Sequence, residues 1–374
     1  MRILHVTEAM GGGVLTLMDT LSRRQVEQGA GVEVWFLPRT ETPSDDELQD
    51  MFDERVVLQP LSEDCTGPKR YLSLIGAVRN AARSGRFDAI HLHSSIAGAV
   101  GRLATLFIRN RTGVIVYSPH GFAFLREDTT KFERKATRLA EVFLSRFCDG
   151  LVLTSDSERK LAQSHMVGAS THLLSTGIPK ERLRVPAVAV RATNDRPLRV
   201  GMVGRICYQK APWRFATVAR ALKDQAEFVW IGGGADTDIQ RWLLDPAVKI
   251  TGWLNADELT RQIDELDVLL FPTLWEGMAL SLMQAQAQGI PAVVSDVVGN
   301  VDTIVHGSTG FVCSTDDELI SRLHQLLTDE KLRDDMSKAA VEWAKDTLLD
   351  TRVGAESISI YRSISAPDEV ALSQ

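Results

Sequence analysis

The sequence predicts an α/β protein built of two doubly wound, Rossmann-like parallel sheets. At 374 residues the chain exceeds what one hydrophobic core usually organises, so two domains of roughly 150 to 190 residues each are expected. Short apolar runs alternate with longer amphipathic segments, the pattern of repeated strand–helix units, and the alternation occurs twice. Between the two series lies Arg191-Ala192-Thr193-Asn194-Asp195-Arg196-Pro197, a polar stretch that reads as a linker.

The first series places strands at residues 2–7, 31–37, 89–92, 113–118 and 150–154. The second places them at 198–203, 227–231, 248–251, 268–271 and 292–295. Residues 1–190 form the expected first domain and 197–347 the second, with a helix at 335–348 and a segment to about 364 crossing back onto the first domain. Residues 365–374 read as a frayed tail. Ligands of open α/β sheets bind at the carboxyl ends of the strands, so the chemistry is sought at strand-to-helix turns, with the two domains facing across a cleft.

Hydrophobic residues make up 44% and charged residues 24%, ordinary for a globular chain and unlike a disordered one. No apolar run reaches the roughly 18 residues that span a bilayer. Met1-Arg2-Ile3-Leu4-His5-Val6 opens directly into a strand without the features of a signal peptide, which places the chain in the cytosol. Cys65, Cys148, Cys207 and Cys313 lie far apart and read as reduced thiols, Cys148 and Cys313 buried. The net charge of −7 and the lack of a basic stripe argue against a nucleic-acid partner. Residues 102–146 nevertheless hold nine Lys and Arg against four Asp and Glu, mixed with Leu, Phe and Ile. Such a segment suits either a solvated helix face or peripheral contact with an anionic membrane.

The first turn, Thr7-Glu8-Ala9-Met10-Gly11-Gly12-Gly13-Val14, leaves backbone N–H groups unobstructed at a helix start. A second, Ser118-Pro119-His120-Gly121-Phe122, ends a strand with a histidine. His91-Leu92-His93-Ser94-Ser95 has an i,i+2 histidine pair with no carboxylate or cysteine cluster beside it, which favours a structural role over a metal site. In Val203-Gly204-Arg205-Ile206-Cys207-Tyr208-Gln209-Lys210-Ala211, two cations follow a strand. Asp236-Thr237-Asp238 follows a glycine turn and opens a helix, where aspartates cap N–H groups rather than hold a metal. After the strand at 268–271, Glu276-Gly277-Met278-Ala279-Leu280-Ser281-Leu282-Met283-Gln284 sets a carboxylate and a carboxamide eight residues apart. On a helix starting near Glu276 both would leave one face.

In this order the motifs resemble the GT-B retaining glycosyltransferases, in particular glycosyltransferase family 4, over nearly the whole chain. The resemblance implies a metal-independent, cofactor-free transfer of a hexosyl or N-acetylhexosaminyl group, with a nucleotide sugar, a UDP-sugar favoured, as donor. Arg205 and Lys210 would meet the diphosphate, Glu276 would orient the sugar, and His120 would face it. The donor site would include Gly12, Gly13, Gly233, Trp253, Leu254, Gly277, Met278, Ala279 and Leu280, with Ser94 and Gly98 on the acceptor side. The family's second glutamate is here Gln284, which would reach the ribose hydroxyls through its carbonyl. Ala211-Pro212 and Gly299-Asn300 also depart from the family pattern. Similar chains build capsule, exopolysaccharide or O-antigen units on lipid carriers, which would place this one on the cytoplasmic face of the inner membrane with a saccharide or lipid-linked acceptor. A nucleotide-sugar epimerase of the same fold, or a nucleotide-sugar-binding protein weakened at Gln284, are the other readings.

Overall fold

The computed structural model describes residues 1–8, 10–39, 41–62, 67, 69–106, 108, 111–183 and 196–366. Ala9, Cys65, Arg109, most of the expected linker (191–195) and the end of the tail (367–374) lie outside the described residues. The chain divides into two compact units, one comprising Met1–Leu125, Lys131–Gly177 and Asp350–Gln374, the other Arg126–Thr130 and Ile178–Leu349.

In the first unit seven strands run parallel: β1 (Arg2–Thr7), β2 (Gly31–Phe36), β3 (Val56–Pro60), β4 (Ala89–His93), β5 (Val114–Ser118), β6 (Gly150–Leu153) and β7 (Thr171–Leu173). Their order is β3-β2-β1-β4-β5-β6-β7, so the winding reverses between β1 and β4. Ile3, Val116 and Val152 pack on one face with Met18, Val353 and Tyr361, while Leu4, Val6, Ile90 and Ile115 pack on the other. That alternation follows from the two-residue period of a strand buried on both faces. Register aligns Thr7 with His93 and His93 with Ser118, which brings the ends of three sequence motifs side by side. Helix Val353–Ser365 packs on helix Gly12–Glu27, and Arg24 pairs with Asp350 at 2.7 Å.

The second unit has six strands: β8 (Leu198–Val203), β9 (Ala226–Ile231), β10 (Val248–Ile250), β11 (Val268–Phe271), β12 (Ala292–Ser295) and β13 (Gly310–Cys313). Their order is β10-β9-β8-β11-β12-β13, all parallel, with the reversal between β8 and β11.

Several expectations change. Strands β3, β7 and β13, absent from the sequence reading, complete the sheet edges. The expected helix start near Glu276 moves to Leu280: the helix is Leu280–Ala287, capped by Ala279 in extended conformation. Gly277 precedes it, and its carbonyl lies where a Cβ on Gly299 (φ 86°) would approach to 2.2 Å, so close backbone packing holds this turn out of the helix. Asp236 and Asp238 do fall in the first turn of helix Asp236–Trp242, but neither side chain caps it. Cys313 is buried as expected, whereas Cys148 is half-buried. No helix among the described residues is long and apolar enough to cross a membrane.

Candidate active site

In the second unit the expected donor-binding residues gather at the carboxyl ends of β8 and β11. A short turn after β8 is tied to the segment after β11 by two bonds: Leu274 N–H donates to the Gln209 carbonyl at 2.9 Å, and the Gln209 amide to the Trp275 carbonyl at 2.7 Å. This pairing delivers Lys210 to Glu276, whose Oε1 accepts from Nζ at 2.8 Å. Nζ also stands 4.8 Å from the Phe271 ring centroid, and both partners of the pair are largely buried. Glu276 Oε2 has no partner among the described residues and can accept from a ligand hydroxyl. Arg205 is exposed and makes neither hydrogen bond nor ion pair among the described residues. The helix start at Leu280 carries no side-chain cap, so its first N–H groups are available to an anion. Gly277 and Ala279 are buried beside Glu276, and Met278 and Leu280 are half-buried.

Gly233 allows the Trp253 indole to lie close, because a Cβ there would come within 2.8 Å of the ring. Trp253 is 69% exposed, and Leu254 packs on the core beneath. Gln284 is buried on the helix, but its Oε1 already accepts from Arg182 at 3.2 Å. Its Nε2 is buried without a partner among the described residues, so a ligand would meet a free donor there beside the carbonyl acceptor expected from sequence, which keeps a second lone pair.

In the first unit, helix Gly12–Glu27 begins at Gly12 (φ 55°) and Gly13 without a side-chain cap. Ser94 (φ 67°) donates to the buried carboxylate of Glu8, which also accepts from the Ala97 N–H at 2.8 Å. Gly98 is buried against Tyr117, whose ring would stand 2.1 Å from a Cβ. Its small size serves packing there.

His120 (φ 54°) sits at the end of β5, where Glu158 accepts from the next N–H, that of Gly121, at 2.7 Å. The same carboxylate accepts from the Thr154 N–H at 3.1 Å. Behind His120 lies a buried chain: its Nε2 meets His93 Nδ1 at 2.9 Å, His93 Nε2 meets His5 Nδ1 at 2.9 Å, and His5 Nε2 meets Gln25 Oε1 at 2.7 Å. His91 contacts Tyr361 and Ser118 through its two nitrogens at 2.7 and 2.8 Å. Burial lowers His5 and His120 to about 4 and holds His91 and His93 well below the ordinary histidine range. His5, His91 and His93 are grouped closely enough to hold a metal ion, yet their nitrogens face one another or other side chains at hydrogen-bond distance. Gln25, His5, Glu158, Arg182 and Tyr361 escaped the sequence reading; Glu158 alone had a local signal, three residues after the cap Ser155.

Residues 11–182 match the family model described as Glycosyltransferase Family 4, and residues 197–329 match that of Glycosyl transferases group 1. The chain is 24% identical, over 97% of its length and 100% of the relative's, to an uncharacterized 41.2 kDa protein in the cps region of Klebsiella pneumoniae. It is 27% identical to the Escherichia coli UDP-Gal:alpha-D-GlcNAc-diphosphoundecaprenol alpha-1,3-galactosyltransferase, over 68% of this chain and 69% of that one. Among solved structures, sucrose-phosphate synthase from Thermosynechococcus elongatus superposes with a TM-score of 0.80 at 17% identity, covering 98% of this chain and 99% of that one. Anabaena HepE in complex with UDP does so at 0.74 and 16%, covering 97% and 100%. With a family 4 domain followed by a group 1 domain on two doubly wound sheets, the chain belongs to the glycosyltransferases of GT-B fold.

Proposed function

We propose that this glycosyltransferase moves a sugar, with retention of anomeric configuration and without a metal ion, from a UDP-sugar to a lipid-linked saccharide in the assembly of a cell-surface polysaccharide. The arrangement around Glu276 carries the reading. Arg205, without a partner among the described residues, Lys210 on Glu276 and the uncapped helix start at Leu280 supply positive charge for a departing diphosphate, the place where negative charge grows in the transition state. Arginine offers a planar fork to phosphate oxygens and lysine a point charge, so metal-free stabilisation is within reach of the protein's own groups. Glu276 keeps one oxygen on Lys210 and accepts from a hydroxyl of the donor sugar with the other; in the first unit, His120 takes a sugar hydroxyl. The names of the Escherichia coli and Klebsiella relatives favour a diphosphoundecaprenol-linked acceptor and a capsule locus.

A lipid-linked acceptor fits one surface of the first unit. On helix Lys131–Leu144 the exposed Phe132, Leu139 and Phe143 are seven and four residues apart, which makes one stripe, and Lys131, Lys135 and Arg138 flank it. Apolar wedges beside cations suit the anionic cytoplasmic face of an inner membrane. Replacing Phe132, Leu139 and Phe143 together by serine should abolish sedimentation with phosphatidylglycerol vesicles while leaving UDP binding intact; equal sedimentation of both proteins refutes the contact. Arg102, in the same basic stretch, takes no part, because it is buried on Glu141 at 2.7 Å.

Turnover of a UDP-sugar with a synthetic polyprenyl-diphosphate saccharide, followed by NMR of the product's anomeric centre, tests the reaction. Retention and undiminished rate in EDTA are expected, and Glu276→Ala should lower kcat at least a hundredfold. Inversion, a manganese requirement, or a near-native rate for Glu276→Ala each overturns the corresponding part.

A further inference from the structure

The buried chain behind His120 has a direction, and two backbone carbonyls set it. Ser118 Oγ donates to the Val152 carbonyl, so toward His91 it can only accept. His91 therefore carries its proton on Nε2, its Nδ1 is a bare acceptor, and the Tyr361 hydroxyl spends its proton on that nitrogen. At the other anchor Ser357 Oγ donates to the Gly354 carbonyl at 2.8 Å. Both hydroxyl oxygens can then only accept from Gln25, whose Nε2 lies 3.0 Å from Ser357 and 3.4 Å from Tyr361. The amide orientation follows, with Oε1 turned to His5.

From there each ring dictates the next. A carbonyl oxygen facing His5 requires a proton on His5 Nε2, which leaves Nδ1 bare. His93 must donate to it from Nε2, which bares His93 Nδ1, and His120 must donate to that atom from its own Nε2. The His93 and His120 rings lie within 3° of parallel, the geometry of an in-plane N–H···N bond. The reverse polarity would ask Gln25 Oε1 to take protons from Ser357 and Tyr361 that are already committed. Burial keeps the four rings neutral, so no extra proton blurs the order.

Resting on the proposed role of His120 toward a sugar hydroxyl, we propose that Gln25 is a positioning residue that acts through His5 and His93 to hold His120 as the Nε2–H tautomer, so that its Nδ1 accepts a hydrogen bond from that hydroxyl. Gln25 touches no substrate in this role; it decides which ring nitrogen of His120 carries the lone pair. The site thereby selects a hydroxyl donor at that position over a group that can only accept.

Long-range proton–nitrogen NMR of the full chain labelled with nitrogen-15 histidine reads the tautomers directly. Neutral rings protonated on Nε2 are expected for His5, His91, His93 and His120 at pH 7; a His120 protonated on Nδ1 overturns the proposal without any variant. Gln25→Leu removes the acceptor that orders the chain, and an Nδ1–H population at His120 should appear together with a roughly tenfold fall in kcat and an unchanged Kd for UDP. An unaltered tautomer and kcat in a folded Gln25→Leu protein refute it. Should the chain prove not to transfer a sugar, the spectra of the two proteins still decide the tautomer assignment.

Discussion

The Gln284 side chain accepts one hydrogen bond, from Arg182, and leaves its Nε2 buried and without a partner among the described residues. An unpaired buried donor costs about 1 to 3 kcal/mol, a cost that a ligand oxygen would relieve. Gln284 thus offers a donor where the carboxylate of the family motif would offer only acceptors. In Gln284→Glu one oxygen stays on Arg182 as a charge-assisted bond and the other becomes an acceptor for a ribose hydroxyl. The gain is on the order of 1 kcal/mol, so the donor KM should fall about fivefold with kcat little changed. Steady-state kinetics with a UDP-sugar check this, and a higher KM would mean that the pocket depends on the Nε2 donor. The same residue illustrates what the sequence could say: the spacing from Glu276 was legible, but Arg182, 102 positions away, was not, and it donates to the carbonyl end of the amide.

Among the elements, helix Val353–Ser365 depends on one small residue for its seat. A Cβ on Gly354 would stand 2.1 Å from the Arg24 carbonyl oxygen in helix Gly12–Glu27, and backbone on that side cannot swing away as a side chain can. Gly354→Val should cost about 1 to 3 kcal/mol or more through overpacking, against a small gain in helix propensity. A melting temperature lowered by several degrees is expected; an unchanged one would show that the two helices can part at this point without loss. The seat matters beyond stability, because this helix carries Ser357 and Tyr361 to Gln25. Long-range seats of this kind leave no local pattern. The central strands were legible because burial on both faces makes them continuous apolar runs such as Val268–Phe271, whereas edge strand β3 has exposed residues and ends in Pro60, and β7 spans three residues. The start of the helix at Leu280 lies one turn later than the sequence suggests, since nothing in Glu276-Gly277-Met278 reveals the backbone contact with Gly299.

Across the whole molecule the histidines are unevenly placed, and that sets how the two units respond to acid. His5, His91, His93 and His120 sit in the first unit with lowered affinity for protons, while the second unit holds only His306 and His324, both exposed. Among the described residues the hydrogen-bond partners of these four rings are one another, Gln25, Ser118 and Tyr361, none of them a carboxylate that would favour the charged form. An unfolded chain takes up protons at histidine as pH falls through about 6.5, but the folded first unit resists until about 4 at His5 and His120. Over that window the unfolded state binds more protons, so stability is complete above pH 6.5 and declines on acidification, by on the order of 3 kcal/mol for His5 alone at the lower end. Hydrogen exchange followed by mass spectrometry at pH 7 and pH 4.5, corrected for intrinsic rates, should show protection lost in β1, β4 and β5 well before β8 and β11. Since six of the seven tryptophans, all but Trp35, lie in the second unit, intrinsic fluorescence should change little while the first unit loosens. Simultaneous loss in both sheets would mean that the buried histidines are not what acid attacks first.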